Sequence, residues 1–172
     1  MEGHYMKKHF FFLITLLFVL SGCSKNESKE IIINNPYKIA KGETTLSYYD
    51  TEDKVSIDGF NIIENTIQNF QDKNNNIIIN DDGEIRCITI VDNTVKTFKS
   101  ISVGDSVNKI EESFDNEYQN GNNYMVIFNN DIEEDPANPD KENTWVWITY
   151  FTDESKITSI QIYDVKYGSE LK

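Results

Sequence analysis

Two stretches of the chain decide the fold: residues 84–92 read EIRCITIVD, and residues 156–164 read KITSIQIYD. Isoleucine or aspartate recurs at the same four positions: Ile85, Ile88, Ile90 and Asp92 match Ile157, Ile160, Ile162 and Asp164. β-Branched residues that follow an acidic turn are typical of the second strand of a hairpin. The match therefore predicts an internal repeat, and chance similarity between isoleucine-rich strands is the alternative.

Upstream of each matching strand, the spacing of apolar residues predicts a short amphipathic helix. Gly59-Phe60-Asn61 leads into Ile62, Ile63, Ile67 and Phe70, and Gly104-Asp105-Ser106 leads into Val107, Ile110 and Phe114. Apolar residues at i, i+3 or i+4, and i+7 give a helix one apolar face. A side-chain oxygen of Asp105 or Ser106 can cap the second helix.

Runs suited to strands follow each predicted helix, at residues 76–80 and 84–92 and then at residues 123–130, 144–151 and 157–164. The predicted fold class is α+β, with two tandem units that each pack a short helix on an antiparallel β-meander. We place the first unit at residues 41–100 and the second at residues 101–172. Residues 23–40 form a tether that contains a candidate edge strand at its isoleucines.

The amino-terminal 22 residues have the pattern of a secretory signal peptide. Lys7 and Lys8 precede an apolar run at residues 10–20, and small residues follow it. Eleven helical residues span about 16 Å, roughly half of the ~30 Å hydrocarbon core, so a signal peptide is favoured over a transmembrane helix.

Leu20-Ser21-Gly22-Cys23 closely resembles the lipobox of bacterial lipoproteins. The resemblance implies that Cys23 receives a diacylglyceryl group through its sulfur and becomes the first residue after cleavage. Two acyl chains suffice for stable anchoring. The expected location is the extracytoplasmic face of the cell membrane. Cys87 is then the only free thiol, and a buried structural role is expected for it.

Charge and composition exclude several classes of function. Residues 1–22 hold two lysines, one glutamate and both histidines, so the rest of the chain has 14 basic and 28 acidic residues and no histidine. The negative charge argues against nucleic acid and against electrostatic docking on anionic lipid. Without histidine, Ser-His and Cys-His catalysis and most zinc chemistry are excluded. We therefore expect that the protein is not an enzyme and that it holds no metal ion or cofactor.

Two acidic segments are candidate calcium sites. The segment that begins at Asp72 has oxygen side chains at the first three ligand positions of a calcium loop, but Ile77 and Gly83 occupy its essential glycine and glutamate positions. The other segment, residues 130–143, contains two prolines and six acidic residues, which indicates a solvated loop with at most weak calcium binding.

The stretch from Ile101-Ser102-Val103-Gly104-Asp105-Ser106-Val107 to the end of the second unit resembles the BamE (SmpA/OmlA) family and the related β-lactamase-inhibitory-protein-like domains. The resemblance implies a helix-plus-sheet unit, arranged in tandem in the inhibitory protein, which binds its target on a concave sheet face. The resemblance assigns neither the role of the BamE family nor β-lactamase inhibition to this chain.

Alternating aromatic residues supply the candidate binding surface. In the strand at residues 144–151, Trp145, Trp147 and Phe151 share one face and Val146, Ile148 and Tyr150 share the other. Neighbouring strands add Tyr124, Phe128 and Tyr163 to the candidate binding residues. Exposed Trp and Tyr side chains dominate many protein interfaces, whereas packing of the two units against each other would bury the same rings.

The sequence thus predicts a lipid-anchored lipoprotein that binds a protein or cell-wall component through an aromatic sheet face. Two alternatives stay open. A wall hydrolase would need two carboxylates about 5–10 Å apart in a cleft, and a purely structural envelope lipoprotein would expose no large apolar patch.

Overall fold

The computed structural model describes residues 33–47, 57–64, 74–129, 132–134 and 145–164. Of these residues 54% lie in strands and 9% in helices, and no helix reaches seven residues. The predicted α+β fold of two helix-on-meander units is therefore wrong. The described part of the chain is mainly β and is built on two sheets. No helix within it is long and apolar enough to cross a membrane.

The strands of the described residues are, in chain order, β1 (Lys38–Lys41), β2 (Thr44–Ser47), β3 (Asn61–Glu64), β4 (Asn76–Ile79), β5 (Ile85–Ile90), β6 (Val95–Lys96), β7 (Tyr118–Asn120), β8 (Asn123–Asn129), β9 (Ile132–Glu134), β10 (Trp145–Asp153) and β11 (Lys156–Asp164). A 3-10 turn at Phe98–Ser100 follows β6, and one α-helix, α1, spans Asn108–Ser113.

The larger sheet has the order β3-β4-β5-β11-β10-β8-β7. Strand β9 also pairs with β8, so β7 and β9 share the outer edge of that strand. Strands β3 and β4 are parallel, and all the other neighbours are antiparallel. Because β5 pairs directly with β11, both halves of the chain contribute to one sheet.

The two matching stretches are these central neighbours, β5 and β11. Ile88 pairs with Ile162, Ile90 pairs with Ile160, and Thr89 pairs with Gln161 between them. A two-fold rotation about the Thr89–Gln161 pair therefore places β5 on β11. It superposes Ile88 on Ile160 and Ile90 on Ile162, which are the matching positions of the repeat. The hairpins β4–β5 and β10–β11 therefore meet through their second strands in a locally two-fold arrangement.

One face of the larger sheet, called the core face here, carries the main hydrophobic core. Its fully buried residues come from every central strand: Ile77, Ile88, Ile90, Val126, Phe128, Val146, Ile148, Tyr150, Ile160 and Ile162. Burying one such side chain contributes roughly 1.5–3 kcal/mol. The alternation of in-facing and out-facing residues along each strand is the period of two that strand geometry requires.

The smaller sheet, in the order β2-β1-β6, contributes to the same core. Ile39, Leu46 and Val95 are buried there with the core-face residues. After β6 the chain turns sharply at Lys99 and Ser100, whose φ angles are +54° and +57°. Asn-Gly is the favoured pair for two consecutive left-handed residues, so Lys-Ser is strained at this turn.

The second predicted helix forms as α1, with Ile110 fully buried and Phe114 directly after it. The Ser106 hydroxyl accepts a long hydrogen bond of 3.3 Å from the Asn108 amide. The Asp105 carboxylate instead accepts hydrogen bonds from the Ser102 amide and from Lys109 Nζ, both at 2.8 Å.

The first predicted helix is wrong where the structure describes it. Asn61–Glu64 is strand β3, which lies parallel to β4 with Ile62 beside Ile77 and Ile63 beside Ile78. Adjacent β-branched residues favour an extended backbone. Ile67 and Phe70, the other apolar residues of that prediction, lie outside the described residues.

Candidate functional site

The predicted lipid site, Cys23, lies outside the described residues, as do the predicted signal peptide and the first ten residues of the predicted tether. The domain is described from Ile33, which is buried and whose carbonyl accepts a hydrogen bond of 2.9 Å from the Lys99 amide. The lipid anchor therefore stays a prediction from the sequence.

Two of the five candidate binding rings belong to the hydrophobic core. Phe128 is 1% exposed on the core face, with its ring centroid 5.3 Å from that of Phe98 and 6.2 Å from that of Phe114. Tyr124 is 6% exposed, and its hydroxyl donates a hydrogen bond of 3.0 Å to Glu111. Packing accounts for both side chains.

Trp147 and Tyr163 lie together on the opposite face of the sheet, with ring centroids 5.9 Å apart. Tyr163 is 4% exposed, and its hydroxyl shares a hydrogen bond of 3.2 Å with Thr149. Trp147 is partly exposed, although its indole nitrogen is buried. The side chain of Trp145 lies outside the described residues. The four candidate rings that the structure describes are therefore divided between the two faces of the sheet.

Cys87 lies in the same cluster as Tyr163 and is 2% exposed. Burial raises the pKa of its thiol to about 12, which outweighs the lowering effect of the hydrogen bond with Thr89. A thiol held in its neutral form is a poor nucleophile and a poor metal ligand. The geometry agrees with a structural cysteine.

Neither calcium candidate gains support from the described residues. Part of the acidic segment at residues 130–143 forms β9, and the side chains of that segment lie outside the described residues. In the other candidate, the Asn80 side chain accepts hydrogen bonds from the amides of Asp82 and Glu84, which stabilises the β4–β5 turn. No described group of three or more His, Cys, Asp or Glu residues is placed to hold a metal ion.

An open groove of about 760 Å³ lies where β5 ends and β11 begins. It is called the end groove here. It is lined by Val91, Asp92, Asn93, Val103, Gly104, Asp153, Glu154, Ser155, Lys156, Ile157 and Thr158. Its lining combines three carboxylates and one lysine with hydroxyl, amide and aliphatic groups.

Backbone hydrogen bonds fix the wall of the end groove that precedes α1. The Gly104 amide donates to the Ile157 carbonyl at 2.8 Å, and the Ile157 amide donates to the Asp105 carbonyl at 3.0 Å. Gly104 has a φ of +89°, a conformation that glycine adopts without steric cost. The turn before the helix is thereby held against the β10–β11 hairpin.

Asp92 is the most strongly fixed carboxylate in the groove. Hydrogen bonds from the Thr94 hydroxyl and amide, at 2.7 Å and 2.8 Å, and an ion pair with Lys41 at 2.9 Å hold its pKa near 2. Asp92 therefore stays ionised from mild acid upwards. The Lys41 ammonium compensates the charge of Asp92. Asp153 and Glu154, opposed by Lys156, leave the groove with a net negative charge, which favours a ligand that carries positive charge or hydrogen-bond donors.

The end groove could not be located from the sequence, although two signals of it are present there. Asp92 ends the first matching strand, and the turn that contains Asp153 and Glu154 precedes the second. Antiparallel pairing of the two repeats places the end of one beside the start of the other. A fold that assigns the two repeats to separate meanders does not contain this pairing.

No known protein family, curated protein or solved structure matches the chain.

Proposed function

We propose that this chain is an extracytoplasmic lipoprotein, anchored in the membrane through Cys23, that binds an envelope component in the end groove. The observation that carries the proposal is the sequence Leu20-Ser21-Gly22-Cys23 after a basic segment and an apolar run of eleven residues. That order of features resembles the export and lipidation signal of bacterial lipoproteins. A lipid-anchored domain meets its partners at the membrane surface or in the cell wall.

The end groove supports binding better than the aromatic face does, because it is open to solvent and its lining is mixed. Val91 and Val103, both partly exposed, offer apolar contact, and Asp153 and Glu154 supply negative charge. Ligand sites commonly combine apolar walls with a few placed polar groups. A protein segment or wall component with cationic groups fits this lining.

The first experiment tests where the partner binds. A photoreactive amino acid replaces Asn93, an exposed residue in the end groove, in the full-length lipidated protein in its own membrane. The matched control carries it at Asp82, which is also exposed and lies in the turn at the opposite end of β5. We expect one discrete adduct from position 93 and none from position 82.

Charge reversal tests whether the adduct depends on the groove. Asp153→Lys combined with Glu154→Lys should reduce the yield of the adduct at position 93 about tenfold, because it replaces attraction by repulsion. Equal labelling from positions 93 and 82, or no adduct at either, would contradict binding in the end groove. The absence of an adduct at both positions would favour the alternative of a structural lipoprotein.

A carboxylate-dependent wall hydrolase is the second candidate function, because Asp92, Asp153 and Glu154 line one groove. The low pKa of Asp92 keeps its carboxylate ionised, as a nucleophile requires, but makes it a weak base. Glycoside hydrolysis also needs a carboxyl group that stays protonated. The purified lipoprotein is incubated with isolated cell wall. Release of soluble fragments that Asp92→Asn abolishes would favour the hydrolase over the binding protein.

A further inference from the structure

We draw no further inference here: the strongest candidate, the patch on the second face of the larger sheet where Trp147 Nε1 and Gln161 Oε1 are buried without hydrogen-bond partners, carries nothing because the described residues do not show what covers that face.

Discussion

Glu154 lies in the two-residue turn between β10 and β11 with a φ of +51°. This left-handed conformation costs a residue with a long side chain about 1–2 kcal/mol, and Asn tolerates it better. Glu154→Asn should therefore raise the free energy of unfolding by about 0.5–1 kcal/mol, measured by urea denaturation. Asp153→Asn is the control, because it removes a carboxylate from the same hairpin at a residue without a positive φ. An equal gain in both variants would attribute the effect to charge and contradict the backbone argument.

Burial of Cys87 predicts slow reaction with thiol reagents in the folded protein. A pKa near 12 instead of 9.0 lowers the thiolate fraction at pH 8 about a thousandfold. In the lipidated protein, where Cys87 is the only thiol, the rate of labelling should rise by at least that factor in concentrated urea. A rate in native buffer that matches the rate in urea would show that the thiol is accessible.

The same pKa shift gives a pH dependence. The folded-state pKa of Cys87 lies above the unfolded value of 9.0. Below pH 9 the thiol is neutral in both states. As the pH rises from 9 towards 12, the unfolded chain ionises first and stability falls. Cys87→Ala should flatten the fall in the free energy of unfolding across this window.

At the scale of elements, the repeat makes a quantitative prediction. Ile88 and Ile160 are both fully buried on the core face, at equivalent positions of β5 and β11. Each cut to Ala should cost about 2–5 kcal/mol, measured by chemical denaturation. Ile62→Ala, at a side chain that is 44% exposed, is the control and should cost less than about 0.5 kcal/mol. A cost below about 1 kcal/mol at either core position would mean that the two strands are not equivalent.

The longer strands could be predicted from the sequence because their apolar residues alternate over five residues or more. Residues 84–92 became β5, and residues 144–151 and 157–164 became most of β10 and β11. The helix α1 was also predictable, since a glycine precedes a clear helical spacing. These elements carry their own patterns and need little tertiary context.

Strands β4 and β8 also match predicted runs, at residues 76–80 and 123–130. The short strands and β3 could not be predicted, because tertiary pairing creates them. Strands β6, β7 and β9 have only two or three residues and gain their structure from a neighbouring strand. At β3, pairing with β4 overrode an apolar spacing that also suits a helix. The predicted fold class was wrong for the same reason. The sequence indicates the strands but not the pairing of β5 with β11, which joins the two predicted units in one sheet.

At the scale of the whole molecule, both halves of the chain build one sheet. The aromatic side chains that the sequence suggests as one binding surface therefore lie on two different faces of that sheet. Side chains alternate between the two faces along each strand, and Phe128 and Tyr124 point to the core face, where they pack in the hydrophobic core. The end groove arises only where the two hairpins meet, so no single segment indicates it. The proposed export and anchoring, in contrast, rest on a short linear sequence that can be recognised without tertiary structure.

The proposal depends most directly on the chemical state of Cys23. Mass spectrometry of the protein purified from the membrane of its own cell should find residues 1–22 removed and a diacylglyceryl thioether on Cys23. The Cys23→Ser variant should accumulate as unprocessed precursor without lipid, because a hydroxyl does not replace the acceptor thiol. A wild-type chain with an unmodified Cys23, or a Cys23→Ser variant of normal processing and membrane retention, would contradict the account.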